Sequence, residues 1–102
     1  MFGPGKADLL DLIAAEGSIS AAGRRMGMSY KRAWTLVEEM NAAFTEPLVV
    51  SSRGGAQGGG AALTAAGQAV LAHYRRLEAI VADQGADQIA AIRQRLKAAP
   101  TD

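Results

Sequence analysis

SISAAGRRMGMSYKRAWTLVEEM, residues 18–40, is the stretch on which the fold turns. Ser18 is a strong N-cap in front of Ile19, and the run to Met26 carries small residues at Ala21, Ala22 and Gly23, where a second helix could approach closely. Gly27 supplies a residue that tolerates positive φ and ends that helix, with Met28 plugging the corner. Ser29 then caps another helix. On it Lys31, Arg32, Thr35 and Glu38 fall to one side, and Ala33, Leu36, Val37 and Met40 to the other. Two short helices about a tight glycine turn are the pattern of a helix-turn-helix, whose second helix enters the DNA major groove. They are also what an ordinary αα-corner looks like, so the flanking sequence has to decide. From Ser18 to Val37 the charges are Arg24, Arg25, Lys31 and Arg32 with no carboxylate, a segregation suited to approaching phosphates.

Outward from this stretch, the first helix is expected over about Lys6–Glu16, with Leu9, Leu12 and Ile13 inward, Asp8 and Asp11 outward and Gly17 as its C-terminal cap. Met1–Gly5 reads as a loose lead-in because Pro4 and Gly5 discourage regular structure. The helix opening at Tyr30 should run to about Phe44. Pro47 stops it and starts an extended segment, Leu48-Val49-Val50. SSRGGAQGGG at 51–60 holds five of the chain's 12 glycines, Ala61-Ala62-Leu63 returns as a strand, and Thr64 caps the last helical region. Two strands about a glycine-rich tip, directly after a helix-turn-helix, make a wing of the kind that lies along the backbone or over the minor groove.

The glycine-rich tip also invites a reading as a phosphate cradle for a nucleotide. A Walker loop ends in Gly-Lys-Ser/Thr opening a helix, whereas this one ends Gly60-Ala61-Ala62-Leu63, and no βαβ unit surrounds it. Arg53 is the only charge at the tip.

From Ala65 the pattern is helical to the end, as one long bent helix or as two helices broken at Gly85. Val70, Tyr74, Leu77 and Val81, then Ile89, Ile92 and Leu96, recur at spacings of three and four. That stripe exceeds what one small domain can cover, so the expectation is a second subunit against it, the competing arrangement being a hairpin folded back at Gly85. Pro100–Asp102 should fray.

A chain of 102 residues fits one domain, 49% of its residues are hydrophobic, and the net charge is only +1, so local rather than global electrostatics carry the case for nucleic acid. There is no cysteine, which removes disulfides and thiolate metal sites. No run approaches ~20 apolar residues and no apolar leader precedes Lys6, so no membrane attachment is expected and a cytoplasmic location is. His73 is alone, without a partner at ligand spacing. Ser18, Ser20 and Ser29 are accounted for by capping or first-turn positions, and Glu38 and Glu39 diverge on their helix. The sequence therefore offers no catalytic or metal-binding residue, no cofactor is expected, and the chain does not read as an enzyme.

GSISAAGRRMGMSYKRAWTLVEEMN followed by EPLVVSSRGGAQGGGAALTAAG resembles the N-terminal DNA-binding domain of the ModE-type molybdate-responsive regulators, which are related to the LysR-type winged helices. The resemblance runs from about Leu9 to Leu77 and rests on GMSYKRAW at 27–34, EPLV at 46–49 and the glycine-rich wing closed by Leu63-Thr64. It implies a mainly α winged helix-turn-helix with a two-stranded wing, and a homodimer joined through its first and last helices. By the same resemblance Ser29, Tyr30, Lys31 and Arg32 open the recognition helix, with Trp34 and Thr35 one turn on. Gly23 departs from the pattern, which usually has alanine there. The oxyanion-binding β-barrel of molybdate sensors has no counterpart within 102 residues, so direct molybdate binding by this chain is not expected.

The expected organisation is a winged helix-turn-helix over 1–64 and a helical dimerisation region over 65–102 of the same single domain. The expected function is a homodimeric transcriptional regulator that reads double-stranded DNA at an inverted repeat. Ser29, Tyr30, Lys31, Arg32, Trp34, Thr35 and Arg53 are the contacting residues, Trp34 alternatively packing on the wing or first helix. Arg24 and Arg25 read as phosphate contacts or solvated surface. The alternative is a winged-helix module that binds protein instead.

Overall fold

The computed structural model describes residues 2–52 and 60–97. In chain order these form α1 (Pro4–Glu16), α2 (Ile19–Arg25), α3 (Tyr30–Ala43), β1 (Val49–Ser52), β2 (Gly60–Leu63), α4 (Ala65–Gln84) and α5 (Ala86–Gln94). The two strands pair antiparallel, Val49 opposite Leu63 and Ser52 opposite Gly60. The molecule is mainly α with a two-stranded wing, as the sequence indicates. Arg53, the rest of 53–59 and the expected fraying at 100–102 lie outside the described residues.

Three helix starts follow the capping rule literally. The Ser18, Ser29 and Thr64 hydroxyls accept the backbone N–H of Ala21, Arg32 and Gly67, three residues on, at 3.1, 3.1 and 2.9 Å. Between α2 and α3 the chain makes a Schellman turn. Gly27 sits at φ 72°, its N–H reaches the Arg24 carbonyl, and the Met28 N–H reaches the Gly23 carbonyl, both at 3.0 Å. Gly17 closes α1 in the same left-handed region, at φ 70°.

One expectation about α1 needs correcting. The sequence implies a loose lead-in as far as Gly5, yet the helix opens at Pro4. Proline's fixed φ suits the first helical position, where its missing N–H would have had no partner in any case. The inner face also differs, since Ala7, Leu9, Leu10 and Ile13 are buried and Leu12 is only half-buried.

The core joins Leu9, Leu10 and Ile13 of α1, Ile19 and Ala22 of α2, Ala33, Val37 and Met40 of α3, Leu48 and Val49, and Ala61 of the wing. Gly23 faces Ala33 so closely that an added Cβ would lie 2.9 Å from the Ala33 Cβ, which explains a small residue at the helix crossing. α4 lies across α1 and the root of the wing. A Cβ at Gly67 would run into the Leu48 carbonyl oxygen.

The region after Thr64 is two helices laid end to end across Gly85, not a hairpin. Only Gly85 leaves the helical conformation, and hydrogen bonds from Gly85 N–H to Val81 O (2.7 Å) and from Ile89 N–H to Gly85 O (2.9 Å) carry the ladder across it. A side chain there would meet the Val81 oxygen at 2.7 Å. The apolar stripe divides: Val70 leans on the core and Tyr74 packs edge-on against Phe2, whereas Leu77, Val81, Ile92 and Leu96 stand exposed.

Candidate nucleic-acid interface

α3 buries Ala33, Val37 and Met40 and therefore turns the opposite side outward. At 100° per residue that side centres on Lys31, Thr35 and Glu38. Tyr30 and Trp34 form one flank and Arg32 the other. Tyr30 is 56% and Trp34 44% exposed, large values for aromatic side chains at the open end of a helix. Trp34, which the sequence allows to pack on the wing or α1, keeps nearly half of its surface exposed. Lys31 and Arg32 are exposed and Thr35 is half-buried.

Two of the expected contact residues already have work within the helix. The Ser29 hydroxyl caps α3 through the Arg32 N–H, and the Thr35 hydroxyl donates to the Lys31 carbonyl at 2.9 Å. Each keeps a lone pair for an incoming donor, but Thr35 in this rotamer has no proton to give. On α2, Arg24 donates to the Ser20 hydroxyl (3.0 Å), and Arg25 pairs with Glu16 across the α1–α2 corner (3.1 Å). The structure thus gathers Ser29, Tyr30, Lys31, Arg32, Trp34 and Thr35 on the exposed first two turns of α3.

The junction between α3 and the wing cannot be read from the sequence. Asn41, near the end of α3, accepts the N–H of Leu48 (2.8 Å) and of Val49 (3.1 Å) with its side-chain oxygen and donates its amide to the Val49 carbonyl at 3.0 Å. From the other side the Thr64 N–H donates to the Leu48 carbonyl (2.9 Å) and the Thr64 hydroxyl to that of Pro47 (2.7 Å). The only signal in the sequence is an asparagine shortly before an X-Pro turn, which is too common to single out.

Among the described residues no buried polar or charged side chain occurs, and no group of three or more His, Asp or Glu side chains is placed to hold a metal ion. No helix there is long and apolar enough to cross a membrane. A hollow of about 700 Å³ lies between the end of α1, β2 and α4, lined by Ala14, Ala61, Leu63, Leu71 and the Asp11–Arg75 pair.

This arrangement of a Schellman-turned helix pair, a hairpin directly after it and a long helix packed across both defines a winged helix-turn-helix domain. Residues 6–68 match the family described as bacterial regulatory helix-turn-helix protein, lysR family. The chain belongs to that family.

Its relatives include the molybdenum-pterin-binding protein MopB of Rhodobacter capsulatus, 50% identical over 74 residues that make up 72% of this chain and 27% of that protein. The molybdenum transport protein ModE of Azotobacter vinelandii is 49% identical, over 69% of this chain and 26% of its own length. The DNA-binding transcriptional dual regulator ModE of Escherichia coli K12 is 43% identical, over 76% of this chain and 29% of its own. The chain thus spans little more than a quarter of these relatives. Among solved structures, the DNA-binding domain of CbnR in its DNA complex shares the fold with a TM-score of 0.65 at 24% identity, covering 86% of this chain and 95% of that one.

Proposed function

We propose that this chain is the DNA-reading part of a ModE-type transcriptional regulator that acts as a homodimer on an inverted-repeat operator. The observation that carries the reading is the outward face of α3. Lys31 and Arg32, with Tyr30 and Trp34 exposed beside them, stand on a helix pair that has no acidic residue from Ser18 to Val37. Placed in the major groove, Lys31 and Arg32 reach guanine edges or phosphates, Tyr30 and Trp34 meet thymine methyls, and Ser29 and Thr35 accept from base or water donors. Arg53, on the glycine-rich tip, completes the set as a phosphate contact. Such a regulator acts where the chromosome is, in the bacterial cytoplasm, and performs no catalysis.

The partner in this reading is double-stranded DNA. Recognition helices related by two-fold symmetry meet successive major-groove faces one or two turns apart, which requires an inverted repeat.

Selection of bound duplexes from a random pool, followed by titration with salt, tests the reading. Enrichment of a palindromic motif whose affinity falls steeply with salt is the expected result. Absence of binding to any duplex at low salt would overturn it in favour of a protein-binding module, for which the exposed Tyr30 and Trp34 would then be the docking pair.

A further inference from the structure

We infer that Asn41 is the positioning residue that locks the wing to the recognition helix, so that both engage the duplex as one rigid unit; the inference rests on the DNA-reading function proposed above. The motivation is the way the side chain is used. Asn41 is half-buried near the end of α3, and its amide group faces a stretch of chain seven and eight residues further on. Its oxygen accepts both the Leu48 and Val49 N–H groups, at 2.8 and 3.1 Å, and its nitrogen donates to the Val49 carbonyl at 3.0 Å. The same side chain thus holds three successive peptide groups at the root of β1. A carboxylate could supply only the accepting half of that arrangement, and a hydrocarbon none of it.

Asn41 is well placed to set an angle. Between Ala43 and Val49 the chain runs through Phe44–Leu48 without helix or strand, so nothing in the backbone ladder ties the direction of β1 to the axis of α3. Asn41 provides that tie directly. The opposite edge of the first two of these peptides is held by Thr64, whose N–H donates to the Leu48 carbonyl and whose hydroxyl donates to the Pro47 carbonyl. Gly67 lets α4 close on the Leu48 oxygen, where any side chain would collide. With Asn41 removed, β1 stays attached to α4 through Thr64 and to the core through Leu48 and Val49. Across the hairpin it also stays attached to the end of α1, where the Ala61 N–H donates to the Gly17 carbonyl (2.9 Å). It loses the hydrogen bonds that fix its direction against α3. The recognition helix then keeps its own base contacts while the wing no longer arrives on the flanking backbone at a fixed distance.

Three variants and two readouts of the full chain on its selected duplex test this. Asn41→Ala removes all three hydrogen bonds. Asn41→Leu does the same while filling the volume, and replaces the alanine variant should that one fail to fold by circular dichroism. Asn41→Asp keeps the two accepted bonds. With protein at saturation, hydroxyl-radical footprinting of the wild type should protect a central groove segment and a flanking backbone segment. The folded Asn41→Ala or Asn41→Leu protein should keep the central protection and base preferences and lose the flanking protection. Its salt dependence should be shallower by roughly 1 for each phosphate that the wing no longer neutralises. Asn41→Asp should regain the flanking protection in large part.

A residue that merely supported the fold would lower the melting temperature but leave the footprint and salt slope of the folded protein unchanged. That outcome overturns the inference, as does an Asn41→Asp footprint no wider than that of Asn41→Ala. A wild type that protects no duplex removes the DNA-reading function itself. A wild type that protects DNA while the variants match it leaves that function standing and removes only the role of Asn41.

Discussion

Lys31 and Arg32 are adjacent in sequence, yet α3 sends them to different places. Lys31 lies near the centre of the outward face and Arg32 on the flank away from Tyr30 and Trp34. Their alanine variants should therefore differ in kind. Lys31→Ala should cost about 1–3 kcal/mol and relax preference at one base position, whereas Arg32→Ala should weaken all duplexes alike and flatten the salt slope by about 1. Binding competitions on single-position operator variants distinguish the two, and wild-type behaviour of both would remove α3 as the reading helix. These two residues are legible in the sequence because the helical period and the Ser29 cap fix which way each residue on α3 points. Asn41 is not. Its partners, Leu48 and Val49, lie across an irregular turn, and no short-range pattern tells an asparagine that clamps a strand from one that is merely solvated. Thr35 is legible as a position only, since the bond from its hydroxyl to the Lys31 carbonyl is a matter of rotamer.

At the scale of elements, the capped helices are legible because their grammar is local. Ser18, Ser29 and Thr64 each reach three residues ahead, and Gly27 needs only its own φ. The start of α1 is ambiguous because proline breaks a helix interior but suits its first turn, and sequence alone does not show which applies at Pro4. The hold of α4 on α1 is invisible for another reason. Arg75 donates to Asp8 and Asp11, both at 2.6 Å, and to Glu78 at 2.9 Å, the first two lying 67 and 64 positions away in the chain.

Hydrogen bonds to Asp8, then Asp11 and Glu78, raise the guanidinium pKa above its ordinary value, with burial opposing weakly. A raised cation pKa contributes stability that is complete below the unfolded value and fades only as pH climbs through the folded one, so on the arginine side the network is constant through neutral pH. Salt is the effective lever instead. The carboxylates are about half exposed, so screening limits the network: Arg75→Gln should lower unfolding free energy by about 1 kcal/mol at low salt and by less in about 1 M salt. Urea denaturation of both proteins at the two salt concentrations measures it, and an equal or larger loss at high salt would mean that Arg75 acts by packing its stem.

For the whole molecule, the governing feature is how the C-terminal stripe is shared out. Its first part is consumed internally, Val70 on the core and Tyr74 against Phe2, which the spacing of apolar residues cannot reveal because it depends on where α1 and the N-terminus lie. The remainder is Leu77 at 55% exposure and Val81 at 54% on α4, Ile92 at 64% on α5 and Leu96 at 68% just beyond it. Burying two or three such side chains per subunit at ~1.5–3 kcal/mol each offsets the loss of translational and rotational freedom on pairing, so a symmetric dimer through this face is expected. The glycine between the two helices has a local reason, since a Cβ at Gly85 would lie 2.7 Å from the Val81 oxygen. Leu77→Glu combined with Ile92→Glu puts four carboxylates into the two-fold seam. Neither residue contributes to the core, so the winged domain itself should stay folded. Sedimentation at micromolar concentration should show a dimeric wild type and a monomeric double variant, with the variant binding the operator much more weakly and half-sites nearly as the wild type does. A wild type that sediments as a monomer, or a double variant that stays dimeric and occupies the full operator, would show that the two recognition helices are not brought together by this face.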